Sequence, residues 1–108
     1  MAQPITKIYV VNNAGFVLNF EIRWSDGKGH WFTVDWNSGN YPINQTRETP
    51  DLGTLGVPNN APVNVKVHAV AGKDNDGDES VTYVAGSTGT ATYTVAGTTL
   101  HYSVHLND

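Results

Sequence analysis

The chain has no cysteine, and its 108 residues include a single methionine. Disulfide staples and thiolate chemistry are thereby excluded. Small all-β domains of secreted proteins are frequently disulfide-bonded, so the absence points toward a reducing compartment. Charge is also scarce, at 15 % of residues against roughly 25 % in an average globular protein. The six bases (Lys7, Arg23, Lys28, Arg47, Lys66 and Lys73) are scattered, and the net charge is −4. No basic patch exists to meet phosphate backbones, so nucleic acid is not an expected partner. Long apolar runs are missing too. None approaches the roughly 20 residues of a membrane-spanning helix. Met1-Ala2 opens the sequence without a basic-plus-apolar leader, which gives a cytoplasmic expectation, with leaderless secretion as the other route.

What is present favours sheet. Valine, threonine, tyrosine and tryptophan are plentiful, and these β-branched and aromatic side chains suit a pleated, half-buried surface. Apolar and polar residues alternate with period two, the signature of strands with one face inward. The alternation predicts strands over Lys7–Asn12, Phe16–Trp24, His30–Trp36, Val63–Ala71, Val81–Val84, Thr90–Val95 and Thr98–Leu106. Residues 37–62 are punctuated by proline and glycine. There we expect a short edge strand at Tyr41–Thr46 and one helical turn at Asp51–Leu55. No helix is long enough to cover a sheet, so the sheet must bury its face against another. The expected architecture is a single all-β domain over residues 1–108, an antiparallel β-sandwich of seven or eight strands.

Residues opposite one another in a ladder share a face, which tests the hairpin loops. An odd-numbered loop after Trp24, of three or five residues, pairs Ile22 with Phe32 and Phe20 with Val34. Trp31 then points outward beside Arg23, and Trp36 joins the core. A five-residue loop at Ala85–Gly89 would pair Tyr83 with Ala91. A two-residue loop at Ala96-Gly97 would pair Tyr93 with Leu100.

Five constellations bear on function. Trp31, Trp24, Asp26, His30, Asn37, Asn40 and Tyr41 combine flat rings with short hydrogen-bonding groups, as a sugar site requires. Asp74, Asp76 and Asp78 lie in an acidic loop that could supply oxygens to calcium, although its glycine does not fit the EF-hand spacing; a solvated hairpin tip is the plainer reading. His101 and His105 share a strand face but stand about 13 Å apart, too far to grip one zinc. Ser, His and Asp occur without the context of a nucleophile elbow, so no enzyme is expected. The polar face of the last hairpin (Thr90, Thr92, Thr94, Thr99, His101, Ser103 and His105) could pair two copies.

The Met1-Ala2 start, the all-β patterning and loops such as Trp36-Asn37-Ser38-Gly39-Asn40-Tyr41 resemble small cysteine-free cytosolic defence lectins of fungal fruiting bodies. The resemblance implies glycan binding in a defensive role. The expectation from sequence is therefore a non-enzymatic lectin with Trp31 as stacking platform, acting as a homodimer for avidity. Its rivals are a membrane-active β-sandwich that puts exposed aromatics into lipid headgroups and a non-catalytic protein-interaction module.

Overall fold

The computed structural model describes residues 4–107. Among them are β1 (Lys7–Asn12), β2 (Leu18–Ser25), β3 (Trp31–Asn37), β4 (Gln45–Glu48), β5 (Pro62–Ala69), β6 (Asp74–Asp76), β7 (Val81–Thr82), β8 (Thr90–Thr98) and β9 (His101–Asn107). One sheet has the order β4-β1-β8-β9; the other runs β3-β2-β5-β6, with β7 also paired to β5. The two sheets face each other as a β-sandwich, as the alternation requires. Buried residues alternate along β1, β2, β5 and β9. Their inward side chains (Ile8 and Val10, Leu18, Phe20 and Ile22, Val63, Val65 and Val67, Val104 and Leu106) form one core with Tyr93 and Val95.

Local chemistry explains the remaining elements. Leu52–Leu55 forms a single 3-10 turn, capped by Asp51, whose Oδ1 accepts from the Gly53 amide at 2.9 Å. The edge strand expected at Tyr41–Thr46 forms later, as β4, and Tyr41 contributes only an isolated bridge to Leu18.

Three register expectations need correction. The loop joining β2 to β3 is odd-numbered, but it spans Asp26–His30, and Trp24 rather than Ile22 lies opposite Phe32. Phe32 consequently stacks on Trp24 at the sheet margin (centroids 4.5 Å apart) and is 45 % exposed. A register shift further along β3 still lets Trp36 pack edge-on against the core ring of Phe20 at 5.4 Å. Second, β7 does not pair with β8. β1 takes that place in parallel, with Ile8 opposite Ala91 and Val10 opposite Tyr93, and the hairpin through Ala85–Gly89 does not form.

Third, the last hairpin turns at Thr99-Leu100, not at Ala96-Gly97, so that Tyr93 meets Leu106 and Val95 meets Val104. The offset is an even number of residues, which is why the inward face survives it. Gly97 stays within β8 at φ +127°, where a Cβ would fall 2.4 Å from the His101 carbonyl oxygen. Only glycine tolerates that approach.

Candidate functional site

The registers sort the loops into two ends. β1 and β8 run in the same direction; β4 and β9 run against them, as β3 and β5 run against β2. The start of β1, the start of β8 and the end of β9 therefore lie together at the near end, which holds both described chain termini. The far end carries four connections: residues 13–17, 38–44, 70–73 and 99–100.

The residues expected to form a sugar site fall on both ends. Trp24, Asp26, His30 and Trp31 lie near the Asp26–His30 loop, whereas Asn37, Asn40 and Tyr41 lie at the other end of β3, about 20 Å away along a seven-residue strand. Tyr41 is 1 % exposed, and its hydroxyl donates to the Val10 carbonyl at 2.7 Å. Burial raises its pKa. Asn37 donates to Asn19 (3.0 Å) and accepts from the Gly39 amide (2.8 Å), while Asn19 donates to Asn40 (2.9 Å). These amides shape a turn. Asp26 likewise accepts from the Lys28 amide at 2.7 Å and faces His30 Nδ1 at 2.9 Å. Those bonds, the Lys28 amide foremost, hold its carboxyl below the usual range.

Trp31 is 40 % exposed, with the Arg23 guanidinium 5.7 Å from its ring, as the outward parity predicted. Trp24 instead borders a cleft of about 530 Å³ with Asp26 and Pro58–Pro62. The seven residues do not converge.

The acidic segment is also divided. Asp74 Oδ1 lies 2.8 Å from His68 Nδ1, Asp76 pairs with Arg23 at 3.6 Å, and Asp78 turns to the opposite sheet. There it accepts from the Leu106 amide at 2.9 Å and meets His105 Nδ1 at 2.7 Å. Among the described residues no three His, Cys, Asp or Glu side chains are grouped to hold a metal ion. The expected calcium ligands are thus dispersed, because strand pairing of Asp74–Asp76 with β5 leaves each carboxylate a separate partner. His68 bridges two acids, with Nε2 also 2.6 Å from Glu21. Burial opposes its charge, but the hydrogen bonds to Glu21 and Asp74 outweigh burial and raise its pKa above the usual histidine value.

What does converge is at the far end. Each of its four connections presents one large exposed aliphatic side chain: Val17 (39 %), Ile43 (45 %), Val70 (44 %) and Leu100 (66 %). Backbone bonds tie these loops together. The Val70 amide donates to Val17 (2.9 Å), Gly15 to Gly97 (3.1 Å), Lys73 to Thr99 (3.4 Å) and Asn44 to Asn12 (2.7 Å). Asn12 is fully buried beneath them. Its side-chain amide donates to the carbonyls of Phe16 (2.8 Å) and Tyr41 (3.1 Å), and its oxygen accepts from Ala14 (3.0 Å). Tyr102 adds a second post, donating to the Lys73 carbonyl at 2.6 Å while its ring packs on Phe16 at 4.9 Å. Ile43 and Val70 each precede a residue held at positive φ, Asn44 (70°) and Ala71 (60°).

Sequence reasoning missed this end. It assigned Leu100 to the core and Val17 to a strand face. At Ile43 and Leu100 the available signal was an aliphatic beside asparagine or threonine; Val17 and Val70, flanked by apolar neighbours, gave none. A second signal was charge. The chain has ten acids, yet residues 13–17, 38–44, 70–73 and 99–100 contain none, and Lys73 is their one charged side chain.

The strand order and loops define a two-sheet β-sandwich. No known protein family matches the sequence, and no curated protein does. Solved structures do match in fold. The chain is similar to the membrane-binding domain of pneumolysin, with TM-score 0.54 and 17 % identity over 95 % of this chain and 96 % of that one. It is also similar to part of listeriolysin O (TM-score 0.55, 19 % identity) and of an intermedilysin mutant determined with human CD59 (0.54, 18 %). It covers 94 % of its own length in both, but only 22 % and 24 % of those chains. At such identities the likeness is one of fold. The lectin and defence expectation is corrected on two counts: none of these three matched structures is described as a lectin, one being described as a membrane-binding domain, and the residues meant to grip a sugar are split between two ends. No helix among the described residues is long and apolar enough to cross a membrane.

Proposed function

We propose that this chain is a non-catalytic membrane-surface binding module that enters the lipid headgroup layer with its far end. The observation that carries the reading is the convergence of Val17, Ile43, Val70 and Leu100 on loops without a single carboxylate. Solitary exposed aliphatics are ordinary on any protein. Four on hydrogen-bonded loops at one end are not scattered, and together they form an apolar tip. Transfer of such side chains into the acyl boundary is favourable, and the absence of acids removes the cost of carrying charge there. Likeness of fold to a domain described as membrane-binding supports the same reading. The tip rests on Asn12 and Tyr102, so its loops are pre-ordered and little entropy is lost on docking.

Co-sedimentation with phosphatidylcholine vesicles, with and without added sterol, tests the proposal. Wild-type protein is expected in the vesicle pellet. A variant with serine at Val17, Ile43, Val70 and Leu100 is expected in the supernatant with an unchanged circular dichroism spectrum. Trp31→Ala, at the near half of β3, is expected to pellet like wild type. Wild-type protein that stays in solution with every vesicle, or a folded tip variant that still pellets, would refute the reading.

A further inference from the structure

Beside Leu100 the far end carries a shallow recess of about 360 Å³ lined by Lys73, Ala96, His101, Tyr102 and Ser103. Its construction follows from the last hairpin. His101 and Ser103 are two apart on β9 and project to the same outward face, while Tyr102 between them points into the core. Ala96 lies opposite Ser103 across the ladder, and its small side chain leaves the recess open. Lys73 is brought alongside from the other sheet: its amide donates to the Thr99 carbonyl (3.4 Å), and its carbonyl accepts from the Tyr102 hydroxyl (2.6 Å).

Three of the five lining side chains, Lys73, His101 and Ser103, share one chemistry. An ammonium, an imidazole and a hydroxyl can all donate hydrogen bonds, and no carboxylate lines the space to compete. Asp74, next to Lys73 in the chain, is turned away to His68 Nδ1 at 2.8 Å. The five ion pairs among the described residues engage Arg23, His30, His68 and His105, and Lys73 is in none of them. A compact cation flanked by two donors fits an oxyanion with several acceptor oxygens, above all a phosphate.

We infer that this recess receives the phosphate of a phospholipid headgroup while Leu100 enters the apolar layer beneath it. The inference rests on the membrane reading and adds to it a lipid class. Lys73 supplies the charge, and His101 and Ser103 supply directional donors. The depth of Leu100 and the height of the recess are coupled, since Leu100 and His101 are consecutive at the turn.

Vesicle titrations and solution NMR together test this. Vesicles of phosphatidylcholine with added phosphatidylglycerol are compared with vesicles of galactosyl diacylglycerol, which lacks phosphate. Wild-type protein is expected to bind the phospholipid surface more tightly. Lys73→Gln is expected to lose about fivefold on it, the loss of one lysine at an anionic lipid surface, with little change on the galactolipid. Lys73→Arg should restore binding. Leu100→Ser should lose affinity for both surfaces. Glycerol 3-phosphate in solution should shift the backbone amides of Lys73, His101 and Ser103 in wild type and in Leu100→Ser alike. If Lys73→Gln binds both surfaces like wild type and glycerol phosphate moves none of these amides, the headgroup site is refuted; continued sensitivity to Leu100→Ser would leave the membrane reading intact. If glycerol phosphate moves the amides but no vesicle binds, the lipid assignment is wrong and the recess takes free phosphate only.

Discussion

Replacing Leu100 with serine should weaken vesicle binding while leaving the fold untouched, and the structure sets both magnitudes. Leu100 is 66 % exposed at a two-residue turn, so it has little native packing to lose. Exposed substitutions of this kind change stability by about 0.5 kcal/mol or less. Burying a leucine side chain fully is worth roughly 1.5–3 kcal/mol. The two-thirds still available to a membrane corresponds to about 1–2 kcal/mol, or roughly 5- to 30-fold in the partition constant. The assay is a titration with phosphatidylcholine vesicles, read as bound fraction against lipid concentration and paired with thermal unfolding of both proteins. A Leu100→Ser protein that partitions like wild type would refute an apolar tip. A large drop in melting temperature would instead mean that Leu100 packs inward, contrary to its exposure.

Four further outcomes follow from the same geometry. Asn12→Leu should destabilise the protein by about 1–3 kcal/mol, because it orphans the buried Phe16 and Tyr41 carbonyls; chemical denaturation reads the loss, and hydrogen exchange should localise it to residues 13–17 and 38–44. Ile22→Ala, in the fully buried centre of β2, should cost about 2–5 kcal/mol by the same denaturation measurement. Trp31→Ala should cost no more than about 1 kcal/mol, since the exposed ring contributes mainly its contact with Arg23. Stability should fall as pH rises through the elevated pKa of His68. The contribution of its two acid contacts is complete below the unfolded value of about 6.5 and is lost once the folded histidine deprotonates. His68→Gln should flatten that part of the stability–pH curve, and an unchanged curve would refute the assignment.

Parity was the legible part of the fold. Two-residue alternation located β1 at its observed bounds and put Phe20, Ile22, Val65 and Val67 inward. It also turned Trp31 outward beside Arg23. Pairing was less legible. An even slip keeps every residue on its face, so the sequence pattern cannot distinguish Tyr93 opposite Leu100 from Tyr93 opposite Leu106. Nor could it reveal that β8 lies parallel to β1, a contact between segments some eighty residues apart. The seven-residue sugar cluster failed for a related reason. Closeness along β3 became separation in space, because a strand extends by about 3.3 Å per residue.

The far end was hidden by the opposite effect. Val17, Ile43, Val70 and Leu100 are distant in the chain, and the alternation placed each within an expected strand. From its amino acids alone the protein is bound to be a cysteine-free, sheet-rich domain with one apolar face per strand, because side-chain alternation is a local property of extended backbone. Tertiary structure alone decided which loops meet, and so created the acid-free apolar tip and the Lys73 recess. Strand order and direction, not neighbouring sequence, determine which end of a sandwich a loop occupies.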